Sequence, residues 1–377
     1  MKNFLLLLTT GTLICCAAGN SDNSNPQLSG KMNQAARALQ ELLPYLYSRD
    51  KFNDKKNKKT IEKQMIQFKS SLHNIEPELA KTALGDDPYV LQSLKSLNEL
   101  SDRSIQTFQK GDLRTSRILL KATTNTCFKC HTRQTMGVQS IQWDNFDIEK
   151  IETDPLEKAH LLVAMRQFEE AKLYLTNFIT DREQEDNFDP DYETALHYYL
   201  MISLRGQQTY ESALNFIRAK ILITKSPTEI HYTLKHWEKD LKHWKKHAGK
   251  LKPNLSHARG VLKRNGKRYS QRNLINNLVA SSLLHSYLAS NPTQVDKARA
   301  YSTLGYIYDE LIVEGFWDLP EMYYEMCIRY APKTKIAQTC YRQIRNNITL
   351  GYSGSRGTLI PSQEYERLDE LRKLSGL

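Results

Sequence analysis

Residues 111–131 read GDLRTSRILLKATTNTCFKCH, and the fold predicted for the N-terminal part of the chain depends on this segment. The Gly-Asp pair at its start interrupts the preceding helical pattern. Apolar residues then recur at helical spacing, so a helix is predicted from Leu113, past His131, to about Gly137. The sequence CFKCH therefore falls in the last turns of a helix.

Three further helical patterns precede this segment, at about residues 30–47, 59–74 and 88–109. Each carries apolar side chains on one face, and the connections between them are short. Such helices favour an antiparallel four-helix bundle, here over residues 28–137. Gly and Pro are sparse throughout the 377 residues, and alternating strand patterns are lacking. The whole chain is therefore predicted to be all-α.

The N-terminus predicts a secretory signal peptide. Lys2 precedes an apolar run from Phe4 to Ile14, and small residues and then polar residues follow. This run is too short to span a bilayer. Residues 1–19 are therefore expected to be removed on export to the periplasm. Cys16 leaves a lipoprotein as the alternative, although the residues just before it suit lipidation poorly.

The CFKCH sequence places Cys127, Cys130 and His131 in a C-x-x-C-H pattern. Two thiols one helical turn apart can reach the two vinyl groups of one haem, and the next residue can then bind the iron. A zinc knuckle would need a second Cys/His pair nearby, and a thioredoxin-like site would need a βαβ context. Chance occurrence is the remaining alternative. The pattern predicts one covalently attached haem c.

A four-helix bundle that closes on C-x-x-C-H resembles the class II cytochromes c, the cytochrome c-prime type. The resemblance covers about residues 30–137 and rests on Gly111-Asp112-Leu113, which opens the fourth helix, and on the CFKCH that closes it. It implies haem c with His131 as proximal ligand, and a distal position either vacant or filled by Met32. Met65 and His73 are further candidates. The highly charged connection at residues 49–59 departs from the family pattern.

Residues 138–350 are predicted to form an irregular array of tetratricopeptide-like helical repeats. Phe168 precedes Ala171, and Tyr210 precedes Ala213, by three positions each. The sequence Tyr301-x-x-Leu304-Gly305-x-x-Tyr308 resembles the first-helix signature of such a repeat, and Pro332 stands near the expected repeat end. A generic helical bundle is the alternative. Residues 351–377 are predicted to form a C-terminal loop and helix.

The basic residues are concentrated in one stretch. The chain carries 53 basic and 42 acidic side chains, a net charge of +11. Residues 235–272, which begin at Lys235 and end at Arg272, contain 13 basic and two acidic side chains, the same excess of 11. We expect this stretch to be either a solvated surface or a docking face for an acidic redox partner or an anionic membrane surface. Nucleic acid is not an expected partner of an exported protein.

Two further pairs of residues are candidates for specific chemistry. Cys327 and Cys340 are 13 positions apart with Pro332 between them, so a turn between antiparallel helices would bring their thiols together as a disulfide. His243 and His247 have the spacing of a helical metal pair, but no carboxylate completes a ligand set. Solvated histidines on an amphipathic helix are the favoured interpretation of that pair.

These patterns indicate an exported monohaem c-type cytochrome that performs one-electron transfer or haem-linked sensing. The helical array would serve as a platform for partner binding. A scaffold protein with a structural haem is one alternative, and a haem protein that binds nitric oxide or carbon monoxide is another. No nucleophile motif or phosphate-binding loop is recognisable, so an electron-transfer or binding protein is favoured over an enzyme.

Overall fold

A computed structural model describes residues 26–82, 85, 87–133, 147–182, 190–223, 229–311, 319–355 and 357–377. The predicted signal peptide and the predicted domain boundary near residue 138 lie outside these ranges. The described helices are α1 (Pro26–Leu46), α2 (Arg49–Asn53), α3 (Lys58–His73), α4 (Glu76–Leu79), α5 (Pro88–Gln109), α6 (Leu113–His131), α7 (Pro155–Ala164), α8 (Phe168–Arg182), α9 (Pro190–Met201), α10 (Tyr210–Ile223), α11 (Glu229–His247), α12 (Leu255–Leu262), α13 (Leu274–Ala289), α14 (Gln294–Glu310), α15 (Leu319–Tyr330), α16 (Lys335–Gly351) and α17 (Ser362–Ser375).

The all-α class predicted from the sequence is confirmed over the described residues. The β-structure of the described residues consists of two exposed two-residue strands, β1 (Ser353–Gly354) and β2 (Gly357–Thr358). They pair antiparallel in the segment expected to be a loop. No described helix is long and apolar enough to cross a membrane.

The four helices predicted in the N-terminal part correspond to α1, α3, α5 and α6. Gln109 of α5 donates to Glu62 near the start of α3, at 2.8 Å. Ser116 near the start of α6 donates to the carbonyl of Ser104 near the end of α5, also at 2.8 Å. The end of α5 therefore lies beside the starts of both helices, and α5 runs antiparallel to each. Their facing apolar side chains, including Leu42, Ile61, Phe68, Phe108 and Leu120, are fully buried.

The fourth helix ends at His131, so its predicted continuation beyond this residue is wrong. Residues 134–137 of the predicted helix lie outside the described ranges. Thr132 is the C-cap residue, and its hydroxyl donates to the carbonyl of Phe128 at 2.9 Å. Arg133 then leaves the helical path and ion-pairs with Asp87, the N-cap residue of α5. The helix stops because the Thr132 hydroxyl bonds back to the preceding turn and Arg133 forms a buried ion pair instead of continuing the helix. Helical periodicity predicts neither contact.

The C-terminal helices pack largely on their neighbours in sequence: α7 on α8, α10 on α11, α12 on α13, α14 on α15 and α15 on α16. Gly305 marks the closest approach, because a Cβ atom added there would lie 2.5 Å from Cε1 of Tyr324 in α15. The glycine of the sequence motif is therefore needed to bring α14 against α15. Cys327 of α15 and Cys340 of α16 form a disulfide bond, with Cα atoms 6.3 Å apart.

Candidate functional site

Cys127, Cys130 and His131 occupy the last turns of α6, where all three are half-buried. Both cysteines are free thiols. Burial raises the pKa of Cys127 to about 12, with a further contribution from neighbouring Cys130. Burial also raises the pKa of Cys130, although Arg133 and Arg166 oppose the shift. The thiols are therefore protonated at neutral pH, which is unlike a redox dithiol, where the attacking thiol has a lowered pKa.

The His131 ring lies close to α7. Burial and the positive charge of Arg166 lower the pKa of His131 to about 3, although the carbonyls of Val163 and Ala164 oppose the shift. Its Nδ1 atom is buried without a hydrogen-bond partner. A neutral imidazole with an unused nitrogen is the form that binds a metal ion.

The half-turn between the two cysteines packs against the helices that follow. Phe128 is buried and stacks on His160 of α7, with ring centroids 4.0 Å apart. Its ring also lies 4.6 Å from that of Tyr198 in α9. Burial and the charge of Lys129 lower the pKa of His160 to about 3, so this ring also is neutral. Aromatic rings from three helices therefore lie beside the C-x-x-C-H turn.

Met32 lies in the first half of α1 and is partly buried against the apolar core. Arg117 of α6 donates to the carbonyl of Leu46 at 3.3 Å, and Lys121 Nζ lies 4.2 Å from the centre of the Tyr47 ring, so the end of α1 lies beside the first half of α6. Met32 lies 14 residues before Leu46, and His131 lies 14 residues after Arg117. Antiparallel helices in this register carry Met32 and His131 at the same end.

The two other candidates for a distal ligand are placed less favourably. Met65 is fully buried in α3, between Glu62 and Lys69, which contact Gln109 and Asp102 in the second half of α5. That half of α5 adjoins the start of α6, so Met65 lies far from the last turns of α6. His73 lies at the end of α3 and its side chain is exposed to solvent.

A buried polar cluster adjoins the C-x-x-C-H turn, and no sequence pattern predicted it. Arg133 is 2% exposed; its Nε–H donates to Nδ1 of His285 at 2.9 Å, and its Nη2 pairs with Asp87. His285 Nε2 lies 2.9 Å from the hydroxyl of Tyr308. Arg205 donates through Nη2 to the same hydroxyl at 2.8 Å and through Nε to the carbonyl of Arg133 at 3.4 Å.

The members of this cluster come from distant parts of the chain. Asp87 caps α5, His285 belongs to α13, and Tyr308 belongs to α14. Arg205 lies in Ile202–Gly206, one turn of π-helix that continues α9. Turns of this type occur often at functional positions. The proximity of Arg133 to C-x-x-C-H was visible in the sequence, but its partner His285 is 152 positions away.

The structure divides the basic stretch at residues 235–272 into paired and unpaired side chains. Five of its 13 basic residues form ion pairs with acidic side chains: Lys242, Lys245, Arg264, Arg268 and Arg272. The other eight are exposed and form no ion pair with the described residues: Lys235, Lys239, Lys246, Lys250, Lys252, Arg259, Lys263 and Lys267. These eight residues are called the unpaired basic surface below.

His243 and His247 lie together on α11, with stacked rings 4.3 Å apart. Nδ1 of His247 is 2.8 Å from the carbonyl oxygen of His243. Within the described ranges, no group of three or more His, Cys, Asp or Glu side chains could hold a metal ion. A two-histidine contact without a third ligand gives no reason to assign a metal to this helix.

Comparisons with known proteins do not assign a family. A scan against protein-family models finds no match, and searches of curated proteins and of solved structures likewise find none. The geometry of the chain's own residues therefore carries the functional argument.

Proposed function

We propose that this chain is an exported c-type haem protein in which Cys127 and Cys130 hold one haem by thioether bonds and His131 binds its iron. The single observation that carries the proposal is the end of α6, where two protonated thiols one helical turn apart precede a neutral imidazole with an unpartnered Nδ1 atom. This donor set fits covalent haem, which needs two thiols for its vinyl groups and one neutral imidazole for its iron.

The haem would supply a one-electron Fe(III)/Fe(II) couple, and the chain's residues would determine its surroundings. The carbonyls of Val163 and Ala164 can orient His131 by accepting a ring N–H, as second-shell groups do for metal-binding histidines. Phe128, stacked on His160, excludes water from the attachment turn. We assign one-electron transfer or haem-linked sensing in the periplasm as the function that these features favour.

The proposal includes the finer architecture expected from the sequence: a class II cytochrome c-like bundle formed by α1, α3, α5 and α6, followed by tetratricopeptide-like repeats. The antiparallel order of the first group and the close approach of Gly305 to Tyr324 support it. The repeats would bind partners, and the unpaired basic surface would face an acidic redox protein.

Haem attachment is tested by peroxidase staining after denaturing electrophoresis and by the mass of the mature protein. Wild type produced with a haem-attachment system should stain and gain the mass of one haem, because thioether bonds survive denaturation. The double variant Cys127→Ala/Cys130→Ala should do neither. The double variant Cys327→Ala/Cys340→Ala removes as many cysteines from α15 and α16 and should still stain. An unstained wild type, or a stained Cys127→Ala/Cys130→Ala variant, would refute the assignment.

The distal position is tested by optical spectra of the reduced protein with and without carbon monoxide. If Met32 binds the iron, wild type is low-spin, and Met32→Ala becomes high-spin with a lower reduction potential, because a thioether ligand favours ferrous iron. Met65→Ala is the control, since Met65 lies at the other end of the helices. A high-spin wild type that binds carbon monoxide would favour gas binding, and an unchanged Met32→Ala spectrum would leave Met32 as a core residue.

A further inference from the structure

Arg133 has one amino group that nothing in the described structure satisfies. Its Nε and Nη2 atoms bond His285 and Asp87, whereas Nη1 is buried without a hydrogen-bond partner. A buried donor without an acceptor destabilises the folded state, and does so more strongly when the group is charged. Native proteins satisfy such groups with ordered water or a bound ligand.

Tyr323 contributes a second unsatisfied donor to the same cluster. The residue is fully buried and its hydroxyl has no hydrogen-bond partner. Its ring centroid lies 6.1 Å from that of His285, to which Arg133 donates, and 5.3 Å from that of Tyr308. Asp87 is the one carboxylate of the described residues that bonds either Arg133 or Tyr323. An N–H donor on a guanidinium and a tyrosine O–H are donors suited to a carboxylate.

The cluster lies at the same end of α6 as the haem-attachment turn. Arg133 follows His131 by two residues, and its Cζ atom lies 5.0 Å from the centre of the Tyr89 ring. Arg133 also lies close enough to Cys130 for its positive charge to oppose the rise in the pKa of that thiol. Haem carries two propionate carboxylates on the pyrrole rings adjacent to those that bear the vinyl groups, so a haem on Cys127 and Cys130 would bring an anionic acceptor to within one haem width of Arg133.

We infer that Arg133, together with Tyr323, holds a carboxylate in this buried cluster, and that a haem propionate supplies it. The inference rests on the proposed haem attachment. Asp87 and His285 then act as positioning residues, because they fix two of the three guanidinium nitrogens and leave Nη1 for the ligand. A guanidinium beside the haem also favours the ferrous state, since the ferric state carries one more positive charge.

The test compares Arg133→Gln, Tyr323→Phe and the control Arg103→Gln, which removes an exposed arginine from α5. Haem staining and thermal melting are measured first, so that only folded, haem-bearing protein is compared. The readouts are the reduction potential and the resonance Raman band of propionate bending. Arg133→Gln should reduce the equilibrium constant for haem reduction about tenfold, equal to about 59 mV for one electron. Tyr323→Phe should shift the propionate band, and Arg103→Gln should change neither readout.

The outcomes separate this inference from the haem assignment. An unstained wild type refutes the proposed function and, with it, the propionate contact. If wild type and Arg133→Gln both carry haem and share one potential and one propionate band, the haem assignment stands and the inference is overturned, with an ordered water as the acceptor. If Arg133→Gln does not fold, Tyr323→Phe decides, because it keeps the ring: a shifted propionate band supports the contact and an unchanged band overturns it.

Discussion

Arg133 donates its Nε–H to Nδ1 of His285 over 2.9 Å, and this bond joins residues 152 positions apart. Arg133 follows the last turn of α6, and His285 lies in α13. Both side chains are almost completely buried. The helix that carries Cys127, Cys130 and His131 is therefore bonded through its end to the C-terminal helices. A displacement of that end requires buried hydrogen bonds to break, which physically connects the C-x-x-C-H turn to the C-terminal helices.

Asp87→Asn should destabilise the protein by about 3–5 kcal/mol, because it leaves the Arg133 guanidinium buried without its carboxylate. Asparagine can still cap α5, since it accepts from backbone N–H groups as aspartate does. Asp112→Asn is the matched control, because Asp112 caps α6 in the same way but is exposed. Urea unfolding of both variants measures the difference. Equal midpoints for the two variants would contradict the importance of the buried pair.

Gly305→Ala should destabilise the packing of α14 on α15 by about 1–3 kcal/mol. The new Cβ would lie 2.5 Å from the Tyr324 ring, which is itself buried and has little room to move. Gly260→Ala is the control: Gly260 lies in α12, and nothing is within 4 Å of its added Cβ. That change should stabilise the helix by about 0.5–1 kcal/mol. Thermal unfolding should therefore show shifts of opposite sign.

Loss of the Cys327–Cys340 disulfide should reduce the free energy of unfolding by about 3 kcal/mol, as expected for a closed loop of this length. The double variant Cys327→Ala/Cys340→Ala should unfold at lower urea than wild type under oxidising conditions. A reductant should lower the wild-type midpoint and leave that of the variant unchanged. Alkylation of unreduced protein followed by mass spectrometry tests the bond directly, and two modified thiols at these positions would contradict it.

Substitutions in the unpaired basic surface test partner docking more specifically than substitutions spread over all of residues 235–272. Replacing Lys239, Lys246, Lys250 and Lys263 with Gln should slow reduction by an acidic flavoprotein, since exposed charges mainly affect the association rate. The Debye length decreases from about 30 Å at 0.01 M salt to about 10 Å at 0.1 M, so the wild-type rate should fall over that range. Lys242→Gln/Lys245→Gln is the control, because Glu238 and Glu211 already neutralise these lysines.

Stopped-flow measurement over a salt series distinguishes the two interpretations of this surface. A docking face requires that the four-Gln variant lose both rate and salt dependence, while its haem spectrum stays unchanged. If wild type and the four-Gln variant have the same rate and the same salt slope, the surface is merely solvated. If the control pair slows the reaction as much as the four-Gln variant, the total charge matters rather than the unpaired lysines.

The four main helices of the N-terminal part, and their order, could be predicted from the sequence alone. The predicted third helix, residues 88–109, coincides with α5, and the fourth begins at Leu113 as predicted. Helical periodicity and caps are local properties, because residues three and four positions apart lie on one face and an N-cap bonds the first turn of its own helix. The C-x-x-C-H pattern is local for the same reason, so Cys127, Cys130 and His131 could be selected without a structure.

The position at which α6 ends, and the groups around that end, depend on tertiary contacts. Thr132 stops the helix and Arg133 departs toward Asp87 and His285, two partners from other helices. Tertiary contacts also decide which residues of the basic stretch are unpaired, since Lys245 pairs with Glu211 on α10 and Arg268 with Glu310 on α14. A buried charge is satisfied by whichever groups the packed chain brings within hydrogen-bond distance, and sequence spacing does not encode contacts between residues this far apart.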